Sequence, residues 1–116
     1  MSGDVGQPSE IHDHVLTEAD QGRELEAASG DVITVRLREN PTTGFRWAQV
    51  DQPGASLVLQ SDEFSVGGTA PGAGGERILR YRAVAPGRSE IDLALRRGWE
   101  PPDQAQRRVG FSVKVQ

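Results

Sequence analysis

Apolar residues recur at every second position through much of the chain, with polar residues between them. Ile33, Val35 and Leu37 alternate with Thr34, Arg36 and Arg38, and Leu79, Tyr81 and Ala83 with Arg80 and Arg82. Ile91, Leu93 and Leu95 alternate with Asp92 and Ala94, and Val109, Phe111, Val113 and Val115 with Gly110, Ser112 and Lys114. A period of two places successive side chains on opposite faces of extended backbone, so each segment predicts a strand with one buried face. Phe45 and Trp47 form a shorter apolar face opposite Arg46 and Ala48, and the aromatic pair is expected in the core. A weaker strand is expected at residues 57–59, re-forming near Phe64, with one or two more between Ile11 and Leu25. Gly, Pro, Asn and Asp punctuate these segments, and no stretch carries a helical period. About seven strands in roughly 100 residues predict an all-β, immunoglobulin-like antiparallel β-sandwich.

Residues 1–10 are small and polar with Pro and Gly, and are expected to be a mobile leader to a domain of residues 11–116. A length of 116 residues suits one two-layer core, so one fold and one site are sought. No apolar run approaches the roughly 18 residues that span a bilayer, and no membrane partner is expected. No cationic start leads into an apolar stretch, so no signal peptide is read. The compartment stays open: cytoplasmic as written, secreted or periplasmic if a leader has been removed. The absence of cysteine excludes disulfides, thiolate metal sites and a cysteine nucleophile. A net charge of −4 argues against a phosphate-binding surface, and no nucleic-acid partner is expected.

If each strand runs antiparallel to the one before, alternate connections share an end of the sandwich. Three unusual segments then fall together: residues 40–44, about 67–76 and about 97–106. Asn40, Pro41, Thr42, Thr43 and Gly44 combine an extended pre-proline residue, a fixed φ, two hydroxyls and a glycine able to take positive φ. That composition predicts a stiff, protruding turn. The second segment runs from Gly67 to Gly75 with few side chains, so that a partner could approach its backbone. Alone it would pass for a flexible linker. No Lys-Ser or Lys-Thr pair and no helix follows the glycines, which argues against a phosphate loop. In the third segment Trp99 lies between Gly98 and two prolines, beyond the end of a strand's alternation, and is expected to be exposed. Trp and Arg are the residues most enriched at binding hot spots.

These loops resemble those of chagasin-type inhibitors of papain-family cysteine proteases, and the resemblance covers about residues 13–116. It rests on Asn40-Pro41-Thr42-Thr43-Gly44 followed by Phe45 and Trp47, on Gly72-Ala73-Gly74-Gly75, and on Arg97-Gly98-Trp99, where Gly98 stands in place of the family's proline. The resemblance implies an immunoglobulin-like sandwich and a reversible, non-covalent inhibitor that is not cleaved, not an enzyme, and needs no cofactor. Thr42 and Thr43 would sit at the tip of a loop over the protease's catalytic cysteine and histidine. The glycine segment would lie along the substrate groove on one side. Trp99 would pack on the other side, with Arg97 reaching a carboxylate or carbonyl of the protease. A monomer is expected.

Rival readings carry less. His12 and His14 share a face of a first strand, but with no cysteine or further histidine a zinc site would need nearby carboxylates, and no metal is expected. A hydrolase would need a nucleophile motif that the chain lacks. Arg36, Arg38, Arg80 and Arg82 read as a solvated outer face balanced by Glu24, Glu26, Asp62 and Glu63. The alternative is a generic immunoglobulin-like adhesion module that binds another protein or a glycan through the same loops, because sandwiches host many functions.

Overall fold

A computed structural model describes residues 12–66 and 74–116, with only the backbone of Pro102. The leader expected at residues 1–10 lies outside the described residues. Among the described residues eight strands follow one another: β1 (Asp13–Leu16), β2 (Glu24–Ala27), β3 (Val32–Glu39), β4 (Arg46–Gln49), β5 (Leu57–Val66), β6 (Gly75–Ala83), β7 (Gly87–Arg96) and β8 (Arg107–Val115). They form two four-stranded sheets, ordered β1-β3-β6-β5 and β2-β8-β7-β4. The expected β-sandwich is met.

Each alternating segment places its apolar set against the other sheet. Ile33, Val35 and Leu37 of β3, Leu79 and Tyr81 of β6, Ile91 and Leu93 of β7, and Phe111 and Val113 of β8 are buried, as is Trp47 of β4. Full burial of such aliphatic side chains contributes roughly 1.5–3 kcal/mol each. Phe45 departs from the expectation of a core pair: it precedes β4 and packs half-buried at the edge of the core.

Three details refine the sequence reading. First, the stretch before Leu25 supplies two short strands, one to each sheet. β1 runs parallel to β3 and β2 parallel to β8, whereas the other neighbours are antiparallel. Second, β5 is continuous. Its register against β6 jumps between Leu59 and Ser61, so a bulge moves the inward positions from Leu57 and Leu59 to Phe64. An extra residue reverses the parity of every later side chain, which is why the alternation reads as interrupted. Third, Arg36 is balanced not by the predicted acids but by Glu76 on β6, 2.7 Å away, while Glu24 pairs with Arg88.

His14 also has a structural partner. Its Nε2 lies 2.9 Å from Asp31 Oδ2, and the same carboxylate accepts the backbone N–H groups of Ala28 and His12. Among the described residues no group of three or more His, Cys, Asp or Glu is placed to hold a metal.

Candidate functional site

The antiparallel pairing of β3 with β6 sets Glu39 opposite Gly75, and β5 sets Val66 opposite the same glycine. On the other sheet Arg46 faces Arg96, and Leu95 faces Arg107. The β3–β4, β5–β6 and β7–β8 connections thus leave from one end of the sandwich.

The first connection is built around its own backbone. Asn40 caps a single 3₁₀ turn at Pro41–Thr43, its Oδ1 accepting the Thr42 N–H at 3.1 Å and the Thr42 hydroxyl at 2.7 Å. Pro41 follows the cap, where no N–H is needed and its fixed φ suits the turn. The Thr43 hydroxyl donates to the Asn40 carbonyl at 2.8 Å and accepts the Phe45 N–H at 3.3 Å. Gly44 closes the turn at φ 82°, a left-handed conformation that favours glycine. The two hydroxyls are therefore spent on holding the loop's shape, and Pro41, Thr42, Thr43 and Gly44 are exposed.

In the second connection Gly74 and Gly75 are described, whereas Gly72 and Ala73 lie outside the described residues. Gly74 has φ 73°, and a Cβ there would come within 3.2 Å of the Glu39 carbonyl oxygen. The glycine thus allows the second connection to lie directly against the base of the first. Between them is a recess of about 320 Å³ lined by Asn40, Thr43, Phe45, Gly74, Gly75 and Gln106 among others.

The third connection begins with a tight turn. Glu100 N–H donates to the Arg97 carbonyl at 3.0 Å, and the Glu100 carboxylate accepts the Arg97 N–H at 3.1 Å. Arg96 Nη1 donates to the Glu100 carbonyl at 2.6 Å. The Arg97 guanidinium lies 4.6 Å from the centre of the Phe45 ring and 6.0 Å from that of Trp99. It also lies 3.7 Å from the Glu100 carboxylate, so in the free chain Arg97 is engaged within its own surroundings. Trp99 is 80 % exposed.

Beneath the rim lies a cluster that sequence reasoning missed. Glu39 and Arg77 face inward and bond to each other, to Trp47 and to Asp62. The hydrogen bonds that Arg77 donates, those to Glu39 foremost, outweigh its burial and push the guanidinium further above its ordinary range, so it stays charged. The signal was present in the parity: Glu39 continues the inward series 33, 35, 37, and Arg77 precedes the inward series 79, 81, 83.

A two-sheet sandwich with a locally braced first loop and an exposed tryptophan at the same end defines a loop-presenting binding protein. The family follows from comparison with known proteins. The model of the chagasin family peptidase inhibitor I42 matches residues 26–115, and the chain belongs to that family. It is 29 % identical to chagasin of Trypanosoma cruzi over 107 residues, covering 88 % of this chain and 97 % of that protein. The crystal structure of the cysteine protease inhibitor EhICP2 from Entamoeba histolytica superposes with a TM-score of 0.77 at 26 % identity, covering 92 % of this chain and 98 % of that one. The solution structure of amebosin gives 0.74 at 30 % identity, covering 90 % and 98 %. The chain is a chagasin-family cysteine protease inhibitor rather than an enzyme, and the generic adhesion module is set aside.

Proposed function

We propose that the chain inhibits papain-family cysteine proteases reversibly by laying its three-loop rim across the catalytic groove. In this reading Asn40, Pro41, Thr42, Thr43 and Gly44 enter over the catalytic cysteine and histidine, with the two threonines at the tip. Gly72, Ala73, Gly74 and Gly75 line the groove on one side, while Arg97, Gly98 and Trp99 cover the other.

The observation that carries the reading is the junction of the loops at one end. Gly74 abuts Glu39, and Arg97 stacks on Phe45, so the three segments are tied before any partner arrives. A rim already in its binding shape loses little loop entropy on docking, and plugging a groove requires no chemical step. A contact of the usual size, about 1,600 Å² in total, supports tight binding when such anchors are well placed. The acidic chain has no cysteine to contribute, so the reactive thiol belongs to the protease.

Titration of papain with the purified chain tests the reading. Stoichiometric, competitive inhibition with the chain recovered intact is expected. A Thr42→Glu/Thr43→Glu variant should lose inhibition while keeping its sandwich, because both positions are exposed and outside the core, whereas the change removes the hydroxyls that shape the loop and sets bulky anions at its tip. An unchanged inhibition constant for that variant overturns the reading.

A further inference from the structure

Of the charged groups near the rim, one pair is withdrawn from solvent. The side chains of Glu39, at the end of β3, and Arg77, near the start of β6, are 1 % and 8 % exposed. Glu39 Oε1 accepts the Trp47 backbone N–H at 2.8 Å and Arg77 Nε at 3.2 Å, and Oε2 accepts Arg77 Nη2 at 2.7 Å. Arg77 Nη1 reaches Asp62 Oδ1 on β5 at 3.0 Å.

The positions of these partners give the cluster its meaning. Residues 39 and 47 lie on the two stems of the first connection, so the Glu39 carboxylate bridges its base. Asp62 and Arg77 stand on the two strands that the second connection joins. One network therefore fastens both stems of one loop to both stems of the other. Gly74 leaves no slack above it, since its backbone already lies against the Glu39 carbonyl.

Stability is a weak reason to bury such a pair. Desolvation offsets much of the attraction between buried charges, and apolar side chains of similar size often serve the fold as well or better. What a bidentate arginine–carboxylate contact supplies is fixed distance and angle.

We propose that Glu39 and Arg77 are positioning residues for inhibition, holding the first and second loops in the relative placement that fits the protease groove. The proposal rests on the three-loop reading above. Neither side chain need touch the protease. Loosening the pair lets the stems of the two loops move apart, and their ordering then counts against binding.

The test uses the full chain and papain. Glu39→Gln/Arg77→Met keeps an acceptor for the Trp47 N–H while removing both charges. Arg77→Lys keeps the charge but loses the planar fork. Inhibition constants, urea unfolding, and the amide resonances of Thr42, Thr43, Gly44 and Gly74 are measured for both. The expected result is folded protein, a rise in the inhibition constant of about tenfold or more, and shifted or broadened resonances for both loops. If the double variant fails to fold, Arg77→Lys decides alone. Folded variants that inhibit as the wild type does, or that lose inhibition only in proportion to the unfolded fraction, overturn the proposal. The Thr42→Glu/Thr43→Glu variant separates the two levels. If it still inhibits, the three-loop reading falls and takes this proposal with it; if it is inert while the Glu39 and Arg77 variants inhibit normally, only the positioning role fails.

Discussion

The Arg97 guanidinium rests 4.6 Å from the centre of the Phe45 ring, which joins the third loop of the rim to the root of the first. A cation over an aromatic face contributes roughly 0.5–1 kcal/mol at an exposed site. The resemblance assigns Arg97 an outward role toward a protease carboxylate or carbonyl, and the two roles predict different responses. If the contact with Phe45 is its main contribution, Arg97→Lys weakens inhibition several-fold and recovers only part of the Arg97→Ala loss, because a strongly hydrated ammonium on a flexible stem holds a ring face less well than a planar guanidinium. If outward charge matters most, lysine restores most of the loss. Inhibition constants of the two variants against papain distinguish these outcomes, and the stacked geometry favours the first.

Trp99→Ala is expected to weaken inhibition by about 2 kcal/mol or more, roughly thirtyfold, as for a central anchor. The indole is 80 % exposed, so almost no core packing is lost. The melting temperature should stay nearly unchanged while the inhibition constant rises. Unaltered inhibition would remove Trp99 from the binding surface.

Gly74→Ala and Gly44→Ala form a matched pair. Both glycines have positive φ, at 73° and 82°, and an added Cβ costs each roughly 1–2 kcal/mol. At Gly44 the new atom meets open space; at Gly74 it meets the Glu39 carbonyl at 3.2 Å and must push the loops apart. Gly74→Ala is therefore expected to lose more stability in urea than Gly44→Ala, and to lose more inhibition than that difference accounts for.

Asp31 provides a control at the far end of the sandwich. Burial pushes its carboxyl up, but the hydrogen bonds from the Ala28 N–H, His14 and the His12 N–H outweigh burial and hold it below the ordinary 3.8. A folded value below the unfolded one means that the contribution is complete above the unfolded value and is lost as pH falls through the folded one. Urea unfolding should show wild type more stable than Asp31→Asn at pH 5–7, with the gap closing below about pH 3.8. Inhibition of papain at neutral pH should be the same for both.

Much of this molecule is legible in one dimension. The alternations at 33–37, 79–83, 91–95 and 109–115 determine which faces are buried, because a strand's side chains have a fixed period and only one set can leave water. Asn40-Pro41-Thr42-Thr43-Gly44 specifies its turn locally: cap, fixed φ, hydroxyl acceptors and left-handed closure all lie within five residues. Trp99 reads as exposed for a similar reason, since the apolar alternation has already ended. The bulge in β5 was hidden because a parity change looks like a weak strand until its partner β6 supplies the register.

Tertiary structure alone decided which distant residues meet. Glu39 and Arg77 are 38 positions apart, and Phe45 and Arg97 are 52 apart. Each pair exists only because sheet pairing and the packing of two layers bring particular strand ends together. Local sequence sets the shape of a loop; the distance between loops depends on register and on the side chains trapped beneath them. The sequence by itself therefore determined the strands, the turn, the family and the shared end of the three loops, whereas the contacts that tie the loops together, and the buried ion pair at their base, came from across the fold.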